Sequence, residues 1–107
     1  PAYVMAKIPV GVGYGCDIQQ VRQLVIEAIQ PLDEQLPDGR QLLQPNSTIG
    51  VSFSNFGASS IDLTVWCWVL VDQQGGFQSR AREVIYNTLN AHQIEIPFPQ
   101  VDVHMRN

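Results

Sequence analysis

Two cysteines and two histidines are the residues of this 107-residue sequence that a structural zinc site would use. A structural zinc site takes its ligands from closely spaced pairs of such residues, because one short turn then presents two ligands to the metal. Cys16, Cys67, His92 and His104 contain no pair with that spacing. We therefore expect no metal site and no cofactor, and we interpret both cysteines as free thiols in a reducing compartment. His92 is interpreted as a helix-end residue.

Three glycines near the start of the chain resemble a nucleotide-binding loop. The dinucleotide pattern, aligned on Gly11 and Gly13, requires its third glycine where Cys16 stands. The phosphate-loop pattern requires a Gly-Lys-Ser/Thr run, which the sequence lacks. The run from Val12 to Gly15 also resembles a potassium selectivity filter, but no membrane helices flank it. We expect neither nucleotide binding nor ion selection at these glycines.

Three acidic residues lie between residues 31 and 47, a proline-rich stretch that predicts a long loop with a short helical turn at residues 40–43. Asp33, Glu34 and Asp38 would together attract a cation. They lack the regularly spaced oxygen ligands and the central glycine of a calcium-binding loop. We therefore interpret these carboxylates as solvated surface.

Composition limits the kinds of partner. The chain is long enough for one domain with its own hydrophobic core. Its 10 acidic and 6 basic residues give a net charge of −4, and such a surface repels nucleic acid and anionic lipid headgroups. No stretch approaches the roughly 20 apolar residues that span a bilayer. We expect no nucleic-acid partner, and we expect the chain as given to be soluble.

Hydrophobic periodicity predicts the elements that must position these side chains. Apolar residues alternate with small or polar residues in residues 7–15 and 49–54 and in the first half of residues 61–71, which is typical of strands. From Trp66 onward both phases of the last stretch are apolar, which indicates that this half of the strand is covered on both faces. Apolar residues recur at helical spacing in residues 17–30 and 77–92. Asp17 begins the first helix with a capping box, and Pro31 ends it.

The last predicted strand, residues 94–105, changes its buried face. Pro97 and Pro99 lack amide hydrogens on the same side of the strand, so the strand belongs at a sheet edge. Two alternating apolar sets flank the prolines, and they point to opposite faces. They are Ile94, Ile96 and Phe98 on one side, and Val101, Val103 and Met105 on the other.

The order strand, helix, strand, strand, helix, strand predicts an α+β, ferredoxin-like βαββαβ sandwich, with two helices on one face of an antiparallel sheet. Its strand order, fourth-first-third-second, places the last strand at an edge. Trp66 and Trp68 then lie on the open face beside the first strand. We expect the indoles to fill part of the space over Gly11 and Gly13, and the rest of the patch to contact another domain or subunit.

An enzyme on this scaffold is not expected. Acylphosphatases share the topology, and they hold phosphate with an arginine in the loop after the first strand. Here that loop is Gly15, Cys16 and Asp17, with an acid and no arginine. A stand-alone regulatory module that binds a small ligand is the alternative, since this fold serves it often.

Three segments resemble the carboxy-terminal cytoplasmic domain of the small-conductance mechanosensitive channel (MscS) family, and the resemblance extends from about Lys7 onward. Their order and spacing match together, which makes the resemblance fairly specific. The segments are VGVGYGCD at residues 10–17 leading into Val21 and Arg22, FGASSI at residues 56–61 before the strand with Trp66, and IEIPFPQVDVH at residues 94–104.

The resemblance implies that residues 1–6 are the tail of a preceding β domain and that residues 7–107 are the cytoplasmic α/β domain. It implies a homo-heptamer whose missing N-terminal helices lie in the inner (plasma) membrane and open under tension. The domain then forms a cytoplasmic vestibule that serves assembly and filters ions and osmolytes, without catalysis. The expected subunit or domain contacts are Trp66, Trp68, Phe98, Val101, Val103 and Met105. The net negative charge suggests that the vestibule mildly disfavours anions. Because salt screens charges beyond about 8 Å, Asp33, Glu34 and Asp38 would contribute only if their loop lies near an opening.

Overall fold

The computed structural model describes residues 2–97, which form an antiparallel sheet with two helices. Two short 3₁₀ turns, Gln30–Leu32 and Val71–Gln73, adjoin the helices. The main elements are β1 (Tyr3–Val12), α1 (Ile18–Ile29), β2 (Gly50–Phe56), β3 (Ile61–Leu70) and α2 (Gln74–Ala91).

The described sheet has the order β1-β3-β2, and both pairs are antiparallel. β3 is therefore central, with Val65 opposite Ile8 on one side and Val51 on the other. This order confirms the predicted α+β class. The predicted fourth strand is described only as far as residue 97, and residues 94–97 are not in a strand. The Gly13 amide nevertheless donates to the Glu95 carbonyl (2.8 Å), so this segment lies beside the end of β1.

One hydrophobic core lies between the sheet and the helices. Alternate residues of β3 point into it, and this explains the strict alternation of buried and half-buried positions along the strand. Burying each large aliphatic side chain contributes about 1.5–3 kcal/mol before entropy is counted. The strands contribute Ala6, Ile8, Val12, Ile61, Leu63, Val65, Cys67 and Val69, and the helices contribute Val21, Val25, Ile29, Phe77, Ala81, Ile85 and Leu89.

Asp17 begins α1 as predicted. Its carboxylate accepts hydrogen bonds from the amides of Gln19 (3.0 Å) and Gln20 (3.3 Å), two groups that have no partner within the helix. At the other end, Pro31 lies in the 3₁₀ turn that follows Ile29. The predicted ends of this helix are therefore confirmed to within a residue or two.

β1 begins at Tyr3, four residues before the predicted start, and ends at Val12. Residues 3–6 pair with residues 67–70 of β3, and the Ala6 side chain is fully buried. The strand stops before Gly15, whose φ of +93° turns the chain away from the sheet. That residues 1–6 are the tail of a preceding domain stays a prediction.

α2 begins three residues before the predicted start. It follows the 3₁₀ turn Val71–Gln73, and Gly75 and Gly76 are exposed in its first turn. Buried Phe77 anchors this turn to the core. Among the described residues, no helix combines the length and hydrophobicity that a bilayer crossing requires.

The long loop is fixed to the sheet, and the predicted helical turn at residues 40–43 is wrong. Leu42 and Leu43 are buried and extended beside the end of β3. The Leu70 amide donates to the Leu42 carbonyl (3.1 Å), and the Gln44 amide donates to the Trp68 carbonyl (3.0 Å). Burial of two leucines against β3 outweighs the local helical tendency of this short stretch.

The indoles do not cover Gly11 and Gly13, so that expectation is wrong. Gly11 is opposite Asp62, four residues from Trp66, and its Cα faces the side chains of Ser60 and Asp62. The Cα of Gly13 faces the side chain of Glu95. Trp66 lies instead over Gly50 on β2, its direct cross-strand neighbour, where a Cβ would overlap the indole ring.

Replacing Gly50 by alanine is therefore expected to destabilise the domain. The new methyl group must displace the Trp66 ring, and such overpacking costs about 1–3 kcal/mol. Urea unfolding followed by circular dichroism measures the loss, and a red shift of indole emission reports the displaced ring. Gly75→Ala is the control, because nothing lies within 4 Å of its new Cβ and alanine favours the helix by up to about 1 kcal/mol. Equal stabilities of the two variants would contradict the expectation.

Candidate contact surface

Four large side chains form an apolar patch on the face of the sheet that the helices leave open. We call Tyr3, Met5, Trp66 and Trp68 the outer patch. Met5 is directly opposite Trp68 across the β1–β3 pair, and Tyr3 is in phase with Met5, so all four point to one face. Each is half-buried, whereas their neighbours in the opposite phase of β3 are fully buried.

The outer patch covers one end of the sheet only. Toward the other end of β3, the same face carries Thr64 and Asp62, and the hydroxyls of Ser54 and Thr64 are hydrogen-bonded to each other. Lys7 lies opposite Trp66, at the boundary between the two halves. An apolar area bordered by polar groups is typical of a surface that contacts another domain or subunit.

The long loop forms a fixed rim beside the outer patch. Its Gln44 amide is bonded to the Trp68 carbonyl, and the Tyr3 hydroxyl donates to the Gln41 carbonyl (2.6 Å). The Asp33 carboxylate accepts from the Leu43 amide (3.0 Å) and the Gln41 side chain (3.0 Å), which ties both ends of the segment together. The patch is therefore preformed, and a partner would not have to order this loop.

The structure brings two of the six predicted contact residues together, Trp66 and Trp68. The other four, Phe98, Val101, Val103 and Met105, lie outside the described residues, and their contacts stay predictions. Sequence reasoning does not identify Tyr3 and Met5, because the family resemblance places residues 1–6 in another domain. The signal was present, since Tyr3 and Met5 continue the alternation of β1 toward its start.

The acidic residues of the loop have partners. Asp38 forms an ion pair with Arg40 (2.9 Å), which also contacts Asp72 (3.1 Å), and Glu34 lies 3.5 Å from Arg80. A hydrogen bond from the Arg40 amide, with further help from its guanidinium, lowers the pKa of Asp38. These contacts hold the loop against the start of α2. Within residues 2–97, no three His, Cys, Asp or Glu side chains are grouped as metal ligands.

The two thiols have different surroundings. Cys67 lies in the core, and burial raises its pKa to about 11. Cys16 is half-buried, immediately before the helix cap Asp17. His92 lines the same cleft as Cys16, and its Nδ1 lies 3.0 Å from the Thr88 carbonyl, while its amide bonds to the last turn of α2. The geometry fits the interpretation of His92 as a helix-end residue.

Comparison with known proteins gives one consistent family. A family model described as "Mechanosensitive ion channel MscS, C-terminal" matches residues 6–96. A Helicobacter pylori protein named small-conductance mechanosensitive channel is 34% identical over 99 residues, which cover 91% of this chain and 33% of that protein. An uncharacterised MscS family protein from Synechocystis is 32% identical over 96 residues, 90% of this chain and 30% of its own length. The chain thus spans about a third of these relatives.

Solved structures agree on the fold. The crystal structure of Helicobacter pylori MscS in the closed state superimposes with a TM-score of 0.74 at 29% identity, and covers 100% of this chain and 40% of that one. A cryo-electron microscopy structure of Arabidopsis thaliana MSL1 with the A320V substitution has a TM-score of 0.64 at 13% identity, over 91% of this chain and 35% of that one. At that identity, the second similarity concerns the fold alone.

The difference between the thiols predicts their reactivity. At pH 8 we expect iodoacetamide to alkylate Cys67 at least about 100-fold more slowly than Cys16, because burial keeps the thiol protonated and out of reach. Timed mass spectrometry of the native chain measures both rates. In 8 M urea the two rates are expected to converge. Comparable labelling of both thiols in the native chain would show that the core around Cys67 opens readily.

Proposed function

Because the chain belongs to the MscS family of mechanosensitive ion channels, we propose that it is the cytoplasmic, vestibule-forming domain of a channel that opens under membrane tension. The match of the family's C-terminal model to residues 6–96 carries this proposal. The family is one of channels and not an enzyme class, and in this proposal the domain catalyses nothing. The alternative of a stand-alone ligand-binding module has no support from the named relatives.

In this proposal the work of the domain is assembly and filtering. The chain spans about a third of the Helicobacter pylori relative. The proposal places the pore and the tension sensor in other parts of a longer protein in the inner membrane. Copies of the domain, seven in the full-length channel, enclose a space on the cytoplasmic side through which ions and osmolytes reach the pore. A rigid domain suits this role, because the vestibule must keep its shape while solutes pass through it.

The outer patch is the proposed surface through which the domain contacts a neighbouring subunit or domain of the vestibule. Two half-buried indoles, the bordering polar residues and the fixed loop rim support this assignment. The Trp66 ring packs closely against the backbone at Gly50, so little side-chain entropy remains to be lost when a partner binds. The predicted contributions of Phe98, Val101, Val103 and Met105 belong to the same proposal.

The proposed function is tested on the full-length protein that contains this chain. Reconstituted in liposomes and patched, it is expected to give currents that appear with suction and disappear when suction is released. A protein that inserts and assembles but gives no current under any tension short of membrane rupture would contradict the proposal.

Trp68→Ala is expected to weaken assembly of that full-length protein. If the indole is a contact anchor, its loss costs about 2 kcal/mol or more for each contact, and Trp68→Phe retains most of it. The fraction of intact oligomer is measured by native mass spectrometry after mild detergent treatment. Tyr86→Ala, on an exposed ring of α2, is the matched control. Intact oligomers in both alanine variants would remove the outer patch from the interface.

Neutralising the loop is expected to raise the ratio of chloride to potassium permeability. The variant Glu34→Gln/Asp38→Asn keeps Asp33, which anchors the loop, and leaves Arg40 and Arg80 less compensated. Because screening confines such an effect to about 8 Å, it appears only if the loop borders an opening. Reversal potentials in asymmetric KCl measure the ratio. Glu27→Gln/Glu83→Gln is the charge-matched control, and equal ratios in both variants would exclude the loop.

A further inference from the structure

β2 is an edge strand whose own sequence offers almost no protection against pairing with another strand. Within residues 2–97, β3 is its strand partner, and no strand pairs with its other side. Its seven residues, GVSFSNF, contain no charge and no proline. Charged residues, proline and bulges are the features that normally keep an edge strand from pairing with a second chain. Uncharged, proline-free segments of this kind are prone to stacking.

β2 contains one β-bulge, a feature that usually hinders edge pairing, but this bulge also places two aromatic rings on one face. Phe53 and Phe56 are three residues apart, so a regular strand would point them to opposite faces. The register shift between Phe53 and Asn55 instead puts Phe53 opposite Leu63 and Phe56 opposite Ile61. Both rings therefore lie on the helix side of the sheet, at its open margin, with 42% and 71% of their surface exposed.

Arg22 of α1 lies against this edge. Its guanidinium carbon is 5.4 Å from the centre of the Phe53 ring, a cation–π contact. Its Nε donates to the Val51 carbonyl at 3.5 Å, and its Nη1 donates to the Gln19 side chain at 2.8 Å. The Gln19 contact lies one helical turn back on α1, and it fixes the side chain in this position. A permanent positive charge thus lies where β2 carries none.

We propose that Arg22 protects the β2 edge from pairing with a second copy of this chain. The edge is complementary to itself: antiparallel pairing about Phe53 brings the two phenylalanine margins together on one face and the serines of both strands together on the other. With Arg22 in place, that pairing brings two guanidinium groups together and strips water from both. The β2 edge therefore stays unpaired while Arg22 is present. It is separate from the outer patch.

The proposal is tested with Arg22→Ala and Arg82→Ala, which change the net charge equally. Arg82 is exposed on α2. Sedimentation velocity over a range of concentrations measures self-association. Arg22→Ala is expected to self-associate at about tenfold lower concentration than the unmodified chain, which is the size of effect expected from losing a cation–π contact and a hydrogen bond. Arg82→Ala is expected to match the unmodified chain. Arg22→Lys keeps the charge without the planar fork, and it is expected to lie between.

A second substitution separates edge pairing from unfolding. Ser52 is exposed on the outer face of β2, opposite Thr64, and a lysine there blocks strand pairing without restoring the contacts of Arg22. Arg22→Ala/Ser52→Lys is expected to return to the association of the unmodified chain, while its melting temperature stays that of Arg22→Ala. Unchanged association of Arg22→Ala would overturn the proposal. Continued association of the double variant would also overturn it, since unfolding would then be the cause.

Discussion

The backbone pairing of β3 is the interaction on which the rest of the structure depends. All ten of its residues have partners on β1. On its other side, β2 pairs with residues 61–66. Beyond β2, the long loop forms the hydrogen bonds to β3, from the Leu70 amide to the Leu42 carbonyl and from the Gln44 amide to the Trp68 carbonyl. A strand with apolar residues on both faces would leave its amides and carbonyls in a dry environment if either side were open. The loop therefore completes the sheet, and its length does not make it mobile.

Side-chain periodicity predicted the part of this fold that local physics controls. The alternation from Ile61 to Val69 identified the core strand and its inward face, and Asp17 and Pro31 marked the ends of α1. Periodicity could not reveal contacts between segments far apart in the chain. The packing of Leu42 against β3 and of Trp66 over Gly50 depends on which residues become neighbours, and the sequence pattern is silent about that. The early start of β1 is not predicted for another reason, because the family resemblance places its first residues in a different domain.

The candidate contact surface was predictable to a similar degree. Trp66 and Trp68 stood out because their phase of β3 is apolar where a single-sided sheet would be polar. Tyr3 and Met5, which extend the outer patch across β1, became visible only with the strand pairing. The two faces of the sheet present different aromatic surfaces. The outer patch offers aromatic area on a rigid sheet, whereas the helix side of β2 presents aromatic rings with Arg22 lying against one of them.

Gly50 has a consequence for how the chain finds its structure. Sliding β2 by two residues along β3 would keep every side chain on its correct face, so the apolar pattern alone does not exclude it. After such a slide, Ser52 would lie beneath the Trp66 ring, where only the hydrogen atom of a glycine fits. The packing of the Trp66 indole against Gly50 therefore favours the native register of the hairpin over the register shifted by two residues. The bulge between Phe53 and Asn55 belongs to the same register, so the positions of Phe53 and Phe56 also depend on it.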